Sequence, residues 1–179
     1  MAVLEARPLQ TPPDSALEQI YREHAPFVWR SLRRLGVPDD ALEDAMQDVF
    51  LIVARRLETF EGRASVRTWL FGIAMRVQRG RRRSRARHDR KLGALQLEPQ
   101  HPRPDAYARN DAQRALVRML QELDEDKRAV FVLVELEGES AVEVAKAFGA
   151  NVNTIYTRLR AARRALQTMA QRWAEQEGA

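Results

Sequence analysis

Apolar residues recur along this chain at the three- and four-residue spacing of amphipathic helices, and caps or breakers bound each run. From Ser15, the positions Leu17, Ile20, Tyr21, Phe27, Val28, Leu32 and Leu35 predict a first helix, with Pro26 as its one expected break and Gly36-Val37-Pro38 as its stop. Asp39 or Asp40 is placed to cap a second helix, whose stripe Leu42, Met46, Val49, Val53 and Leu57 runs to about Glu58. After the loop Phe60-Glu61-Gly62-Arg63-Ala64, Ser65 is the expected cap of a third helix. Its stripe is Val66, Trp69, Leu70, Ile73 and Val77, with Trp69 read as core, and an arginine run follows. Periodicity fails between about 89 and 104, where Pro99, Pro102 and Pro104 have the composition of a linker. Beyond it, Ala106 to Leu123 reads as a helix with Ala115, Leu116, Met119, Leu120 and Leu123 inward. Asp124 is a cap for Ala129 to Glu137, Ser140 for Ala141 to Phe148, and a long helix starts near Asn151.

The expected fold is all-α: two small helical modules joined by a flexible linker, the C-terminal one a helix-turn-helix bundle. The divisions are a disordered tail at 1–14, a first domain at 15–88, the linker at 89–104 and a second domain at 105–174. A chain of 179 residues, 45% hydrophobic, fills one ordinary core or two small ones. No apolar run reaches membrane-spanning length and the start MAVLEARPLQTPPD has no apolar segment behind a basic end, so the reading is cytoplasmic, without stable membrane insertion. With zero cysteines, disulfides, thiolate metal sites and thiol nucleophiles are excluded.

The net charge of +5 conceals a segregation. Residues 76–91 hold eight Arg and one Lys against Asp89, a balance of +8, so the remainder carries −3. Of 30 basic residues 27 are Arg, a side chain whose planar fork of donors suits phosphates and base edges.

Ser140 to Leu166 has the pattern of a helix-turn-helix, with Gly149 in the turn and Ala145 small enough for a close helix crossing. If Val152, Ile155, Leu159, Ala162 and Leu166 face inward, then Asn153, Tyr156, Thr157, Arg160, Arg163 and Arg164 face outward, and no acid occurs from Asn151 to Arg172. That face suits a phosphate-walled groove. The second helix is the opposite: Asp39, Asp40, Glu43, Asp44, Asp48, Glu58 and Glu61 against Arg55 and Arg56, a balance of −5. Asp44 and Asp48 sit one turn apart, opposite the apolar stripe, and are expected to face water or a protein partner. Trp69 and Phe71 precede the arginine run, a pairing of rings and guanidiniums that serves unpaired nucleic acid.

The run Asp44-Ala45-Met46-Gln47-Asp48-Val49-Phe50, then Phe60 to Leu70 ending Arg67-Thr68-Trp69-Leu70, then Leu123 to Leu166, resembles a bacterial sigma factor of the extracytoplasmic-function (ECF) type. The resemblance covers roughly residues 17 to 170. It implies a sigma-70-family promoter-specificity subunit of RNA polymerase that has no catalysis, cofactor or metal of its own. Asp44, Gln47 and Asp48 would contact the clamp of the polymerase's largest catalytic subunit. Phe60, Arg63, Ser65, Arg76, Arg79 and Arg83 would capture the minus-10 element. Asn153, Tyr156, Thr157 and Arg160 would meet the minus-35 element, with Thr154, Arg158 and Arg163 nearer its phosphates. An anti-sigma protein is a further partner class.

The chain departs from the family pattern where Arg76 replaces a usual Asn, Gly80 a usual Asp, and Asn151, Asn153 and Tyr156 the usual Pro, Gly and Lys. Two other readings compete. One is a helix-turn-helix regulator with a sensing N-terminal module. The other is a nucleic-acid enzyme using Glu43, Asp44 and Asp48 as metal-binding carboxylates; the histidines His24, His88 and His101 are too scattered to add a catalytic cluster.

Overall fold

The computed structural model describes residues 13–92 and 111–177, and every regular element among them is helical. Helix α1 spans Pro13–Arg34 and runs unbroken through Pro26, because a proline removes one backbone bond and surrounding packing can absorb it. Its start at Pro13 shortens the expected tail by two residues; positions 1–12 lie outside the described residues. Gly36, at φ +91°, closes α1 in a Schellman arrangement, with Val37 N–H donating to Leu32 O at 3.0 Å and Gly36 N–H to Arg33 O at 3.0 Å.

Neither Asp39 nor Asp40 caps the next helix by its side chain. Both fall inside a 3₁₀ turn, Asp39–Ala41, flanked by Pro38 and without a side-chain cap. They sit in its first turn, where their charge favours the amide end of the element. Helix α2, Leu42–Arg56, buries Leu42, Ala45, Met46, Val49, Phe50 and Val53, and a 3₁₀ turn at Leu57–Thr59 ends it. Helix α3, Val66–Leu92, is capped as expected, with Ser65 Oγ accepting from Thr68 N–H at 3.1 Å. It continues through Leu92, so helix replaces the first four residues of the expected linker. The rest of that linker, and the segment preceding Asp111, lie outside the described residues.

The C-terminal half holds α4 (Asp111–Glu122), α5 (Glu125–Phe131), a π-turn at Val132–Leu136 that prolongs α5, α6 (Ala141–Phe148) and α7 (Val152–Glu177). Asp124 and Ser140 cap α5 and α6, accepting from Lys127 N–H at 3.0 Å and Glu143 N–H at 3.1 Å. Gly149 turns the chain at φ +61°, and the stripe Ile155, Leu159, Ala162 and Leu166 of α7 is buried. In the N-terminal half, Val28, Leu32, Val49, Val53, Leu70 and Phe71 are buried where α1, α2 and α3 meet.

The two halves are packed together, α6 on α3 and α4 on α1. One side chain pins the junction. Arg128 is 7% exposed and donates to three carbonyls: Leu35 at 2.8 Å, Gln121 at 2.8 Å and Leu123 at 2.9 Å. These belong to the C-terminal ends of α1 and α4, so one guanidinium serves the negative ends of two helices from different modules. Burial pushes its pKa below the ordinary arginine value, against the attraction of Glu125 and Asp124.

Candidate nucleic-acid and polymerase interfaces

Three surfaces collect the residues expected to act. On α7, Asn153, Thr154, Tyr156, Thr157, Arg160 and Arg163 are all exposed, Tyr156 at 52%. Asn151 Oδ1 accepts from Asn153 N–H at 2.8 Å, organising the start of the helix. Two of its arginines are engaged within the module: Arg158 pairs with Asp126 at 2.6 Å and Arg163 with Glu135 at 2.5 Å. Tyr156, Thr157 and Arg160 thus stand on one outward face with an apolar back.

The second surface is a cavity of about 310 Å³ beside the loop that precedes α3. Phe60, Arg63, Trp69 and Arg76 line it, and Lys146 and Ala147 of α6 border it from the other module. The Phe60 and Trp69 rings lie 4.7 Å apart, tilted by 37°. Trp69 is therefore half-buried on the wall of this cavity and only its inner side adds to the core, contrary to the expectation of a core residue. The Arg76 side chain is exposed and makes no ion pair or hydrogen bond with the described residues. Arg63 pairs with Glu61. Ser65 and the buried Thr68 share a hydrogen bond at 2.8 Å next to the cavity. Arg79, one turn beyond Arg76, is turned away to Glu125 at 2.5 Å and Asp126 at 3.1 Å, and Arg83 is exposed further along α3.

The third surface lies on α2. Asp44 and Gln47 are exposed, but Asp48 accepts from Arg81 of α3 at 2.7 Å, so its first partner is within the same module. Asp48, in an ion pair, and Glu43, on the edge of an apolar groove, do not converge as a carboxylate metal site would require. That groove, of about 570 Å³, is bordered by Leu17, Tyr21, Trp29, Gln47, Phe50 and Leu51. Tyr21, which the periodicity placed inward, is 51% exposed with its ring 4.7 Å from that of Phe50, and Leu51 is 49% exposed. An acidic edge, Glu43 and Asp44, thus lies beside this apolar groove.

Sequence reasoning missed Thr68, Lys146, Arg128, Glu137 and Glu139. Thr68 stands one turn after Ser65 and one before Gly72, a spacing that could have placed it beside the cavity. The others become visible only when the modules meet.

The geometry brings together an exposed acid-free face on α7, a cavity of rings and arginines beside α3, and an acidic edge next to an apolar groove on α2. Residues 20–88 match the sigma-70 region 2 family and residues 113–166 the sigma-70 region 4 family. The chain is 33% identical over 154 residues to the ECF RNA polymerase sigma factor SigC of Mycobacterium tuberculosis, covering 84% of this chain and 81% of that one. It is 27% identical over 163 residues to the RNA polymerase sigma factor NccH of Alcaligenes xylosoxydans xylosoxydans, covering 87% of each. Its fold matches that of the sigma factor RpoE of Bartonella quintana, solved with the anti-sigma factor NepR, at a TM-score of 0.72 and 24% identity over 88% of this chain and 98% of that one. The chain belongs to the sigma-70 family, as an ECF sigma factor, and directs promoter-specific initiation of transcription with RNA polymerase. Among the described residues no helix is long and apolar enough to cross a membrane.

Proposed function

We propose that residues 15–88 bind the polymerase and capture the melted minus-10 strand, while residues 105–174 read the minus-35 element, in the cytoplasm and without catalysis by the chain itself. The observation that carries this reading is the pairing, on one chain, of an exposed acid-free face on α7 with a ring-and-arginine cavity on α3. Two modest DNA sites on one chain raise each other's effective concentration, so the pair discriminates more sharply than either alone. On α2, Asp44, Gln47 and Asp48 beside the apolar groove take the polymerase clamp. An anti-sigma protein, of the kind that the Bartonella RpoE binds, is a further partner. In vitro transcription with core polymerase on a randomised promoter library tests the whole reading: enrichment of a paired upstream and downstream motif is the expected result, and no enrichment overturns it.

Two residue-level expectations follow from donor chemistry. Arg160 is exposed on the outward face of α7. If it reads a base edge, Arg160→Ala costs about 1–3 kcal/mol of minus-35 discrimination, measured as the loss of preference between matched and mismatched promoters. An equal loss on every promoter would make it a phosphate contact. Arg76, at the cavity, presents donors only. A guanidinium there favours an unpaired guanine, whose neighbouring O6 and N7 accept both arms of the fork, over adenine, whose N6 donor opposes it. Arg76→Ala is expected to flatten the preference among the four bases at that position of a pre-melted promoter fork. An unchanged preference would remove Arg76 from base selection.

A further inference from the structure

Three residues of α3, Thr68, Gly72 and Arg76, stand one turn apart on a single stripe, and all line the cavity beside Phe60 and Trp69. Thr68, at one end, is fully buried, its hydroxyl donating to Glu139 at 3.1 Å and sharing a hydrogen bond with Ser65 Oγ at 2.8 Å. Arg76, at the other end, presents donors only. Between them, Gly72 puts no side chain over the middle turn of the stripe.

A glycine inside a helix is unfavourable, because it gives up more backbone freedom on folding than any other residue. Two common reasons for one are absent at Gly72. Its backbone is ordinary right-handed helix, unlike that of Gly36, Gly62, Gly138 and Gly149, whose φ values are positive. Crowding does not demand it either. Among the described residues a Cβ at Gly72 would meet no neighbouring atom within 4 Å, whereas at Gly36 it would lie 3.2 Å from the Arg128 guanidinium. What the missing side chain leaves is room on the floor of the cavity. Gly80, the other glycine of α3, is equally uncrowded but is not part of the cavity wall.

Helical side chains lean toward the helix N-terminus, which carries Arg76 back over the Gly72 turn. The N7 that a guanidinium reads together with O6 sits on the five-membered ring that a purine has and a pyrimidine lacks. A base read by Arg76 therefore brings that second ring over Gly72, into the space that a side chain there would fill.

We infer that Gly72 sets the size of the base this cavity accepts: the open turn admits a purine, and a side chain at this position narrows the cavity to a pyrimidine. The inference deepens the assignment of the minus-10 surface made under Proposed function and rests on it. Arg76 selects among purines by hydrogen bonding, and Gly72 separates purines from pyrimidines by room.

The test uses the full chain assembled with core polymerase and pre-melted promoter forks, with each of the four bases in turn at the minus-10 position that the parent discriminates most strongly. The parent is expected to favour purines there. Gly72→Leu should lower the purine-to-pyrimidine affinity ratio about tenfold or more, with pyrimidine forks held within about twofold of the parent. A purine without exocyclic groups should lose as much as guanine does, because room and not hydrogen bonding is at stake. Gly80→Leu adds the same bulk to the same helix away from the cavity and should leave the ratio unchanged. An unchanged ratio in Gly72→Leu, an equal loss for all four bases, or the same shift in Gly80→Leu overturns the inference. Should Gly72→Leu lose its helical circular dichroism, Gly72→Ala replaces it, since alanine favours helix and its Cβ meets no neighbour; a smaller fall in the ratio is expected, and an unchanged ratio again overturns. Phe60→Ala separates the two claims. If it leaves fork affinity unchanged, the minus-10 assignment falls and this inference with it; if it weakens the fork while Gly72→Leu leaves the ratio untouched, the assignment stands and the role of Gly72 alone is overturned.

Discussion

Reversing one charge, Asp48→Arg, should weaken association with core polymerase at least 100-fold, about 2.7 kcal/mol, while the helical circular dichroism stays unchanged. Asp48 is half-exposed on α2, where it pairs with Arg81 at 2.7 Å beside exposed Asp44 and Gln47. Substitution removes an acid from the docking edge and sets a cation against Arg81, so a basic partner meets two repelling charges where one neutralised pair stood. No core contact is lost, because the buried stripe Met46, Val49 and Val53 faces the other way. Glu58→Arg, just beyond the other end of α2, is the control and should leave association within twofold. Co-purification of Asp48→Arg with core polymerase at the parental level would move the docking surface off this helix.

Arg128→Met should lower folding stability by about 3 kcal/mol, because three carbonyls at the α1–α4 junction lose a charged donor and methionine offers none. For a chain of this size, that corresponds to a fall of about 6–12 °C in Tm. The methylene stem is retained, so the loss isolates the guanidinium from the packing it rides on. Lys127→Ala, one residue away, removes a charge that is 40% exposed and should cost under about 0.5 kcal/mol. Urea denaturation followed by circular dichroism measures both. Equal small effects would show that Arg128 is dispensable at the junction.

The helices were legible because each depends on neighbours within a turn. Asp124 and Ser140 cap through N–H groups three residues on, and Gly149 adopts a positive φ whatever the rest of the chain does. The α7 stripe followed from spacing alone. The failures have one local cause and two tertiary ones. Asp39 and Asp40 are capping residue types, but Pro38 is followed by a 3₁₀ turn that takes them into its own first positions. Pro26 is a breaker by type, yet α1 continues because packing around Phe27, Val28 and Leu32 outweighs one missing bond. Tyr21 fits the apolar period but stands at the rim of a groove, since periodicity shows a face and not whether anything covers it.

The candidate site divides along the same line. Phe60, Arg63 and Arg76 could be assigned to one surface because they stand within a loop and the turns that follow it. That Asp48 is neutralised by Arg81, or that Arg79 is turned toward Glu125, could not be assigned, because each pair spans more than thirty residues.

Sequence by itself determined the helical segments, the segregation of charge between an acidic α2 and a basic α3, and the outward polar face of α7, all consequences of spacing along one backbone. Tertiary structure alone decided which of those charges remain available. A buried Glu137 among three arginines, and a buried Arg128 across two helix ends, exist only because packing removes water from groups far apart in the chain and leaves each other as their remaining partners.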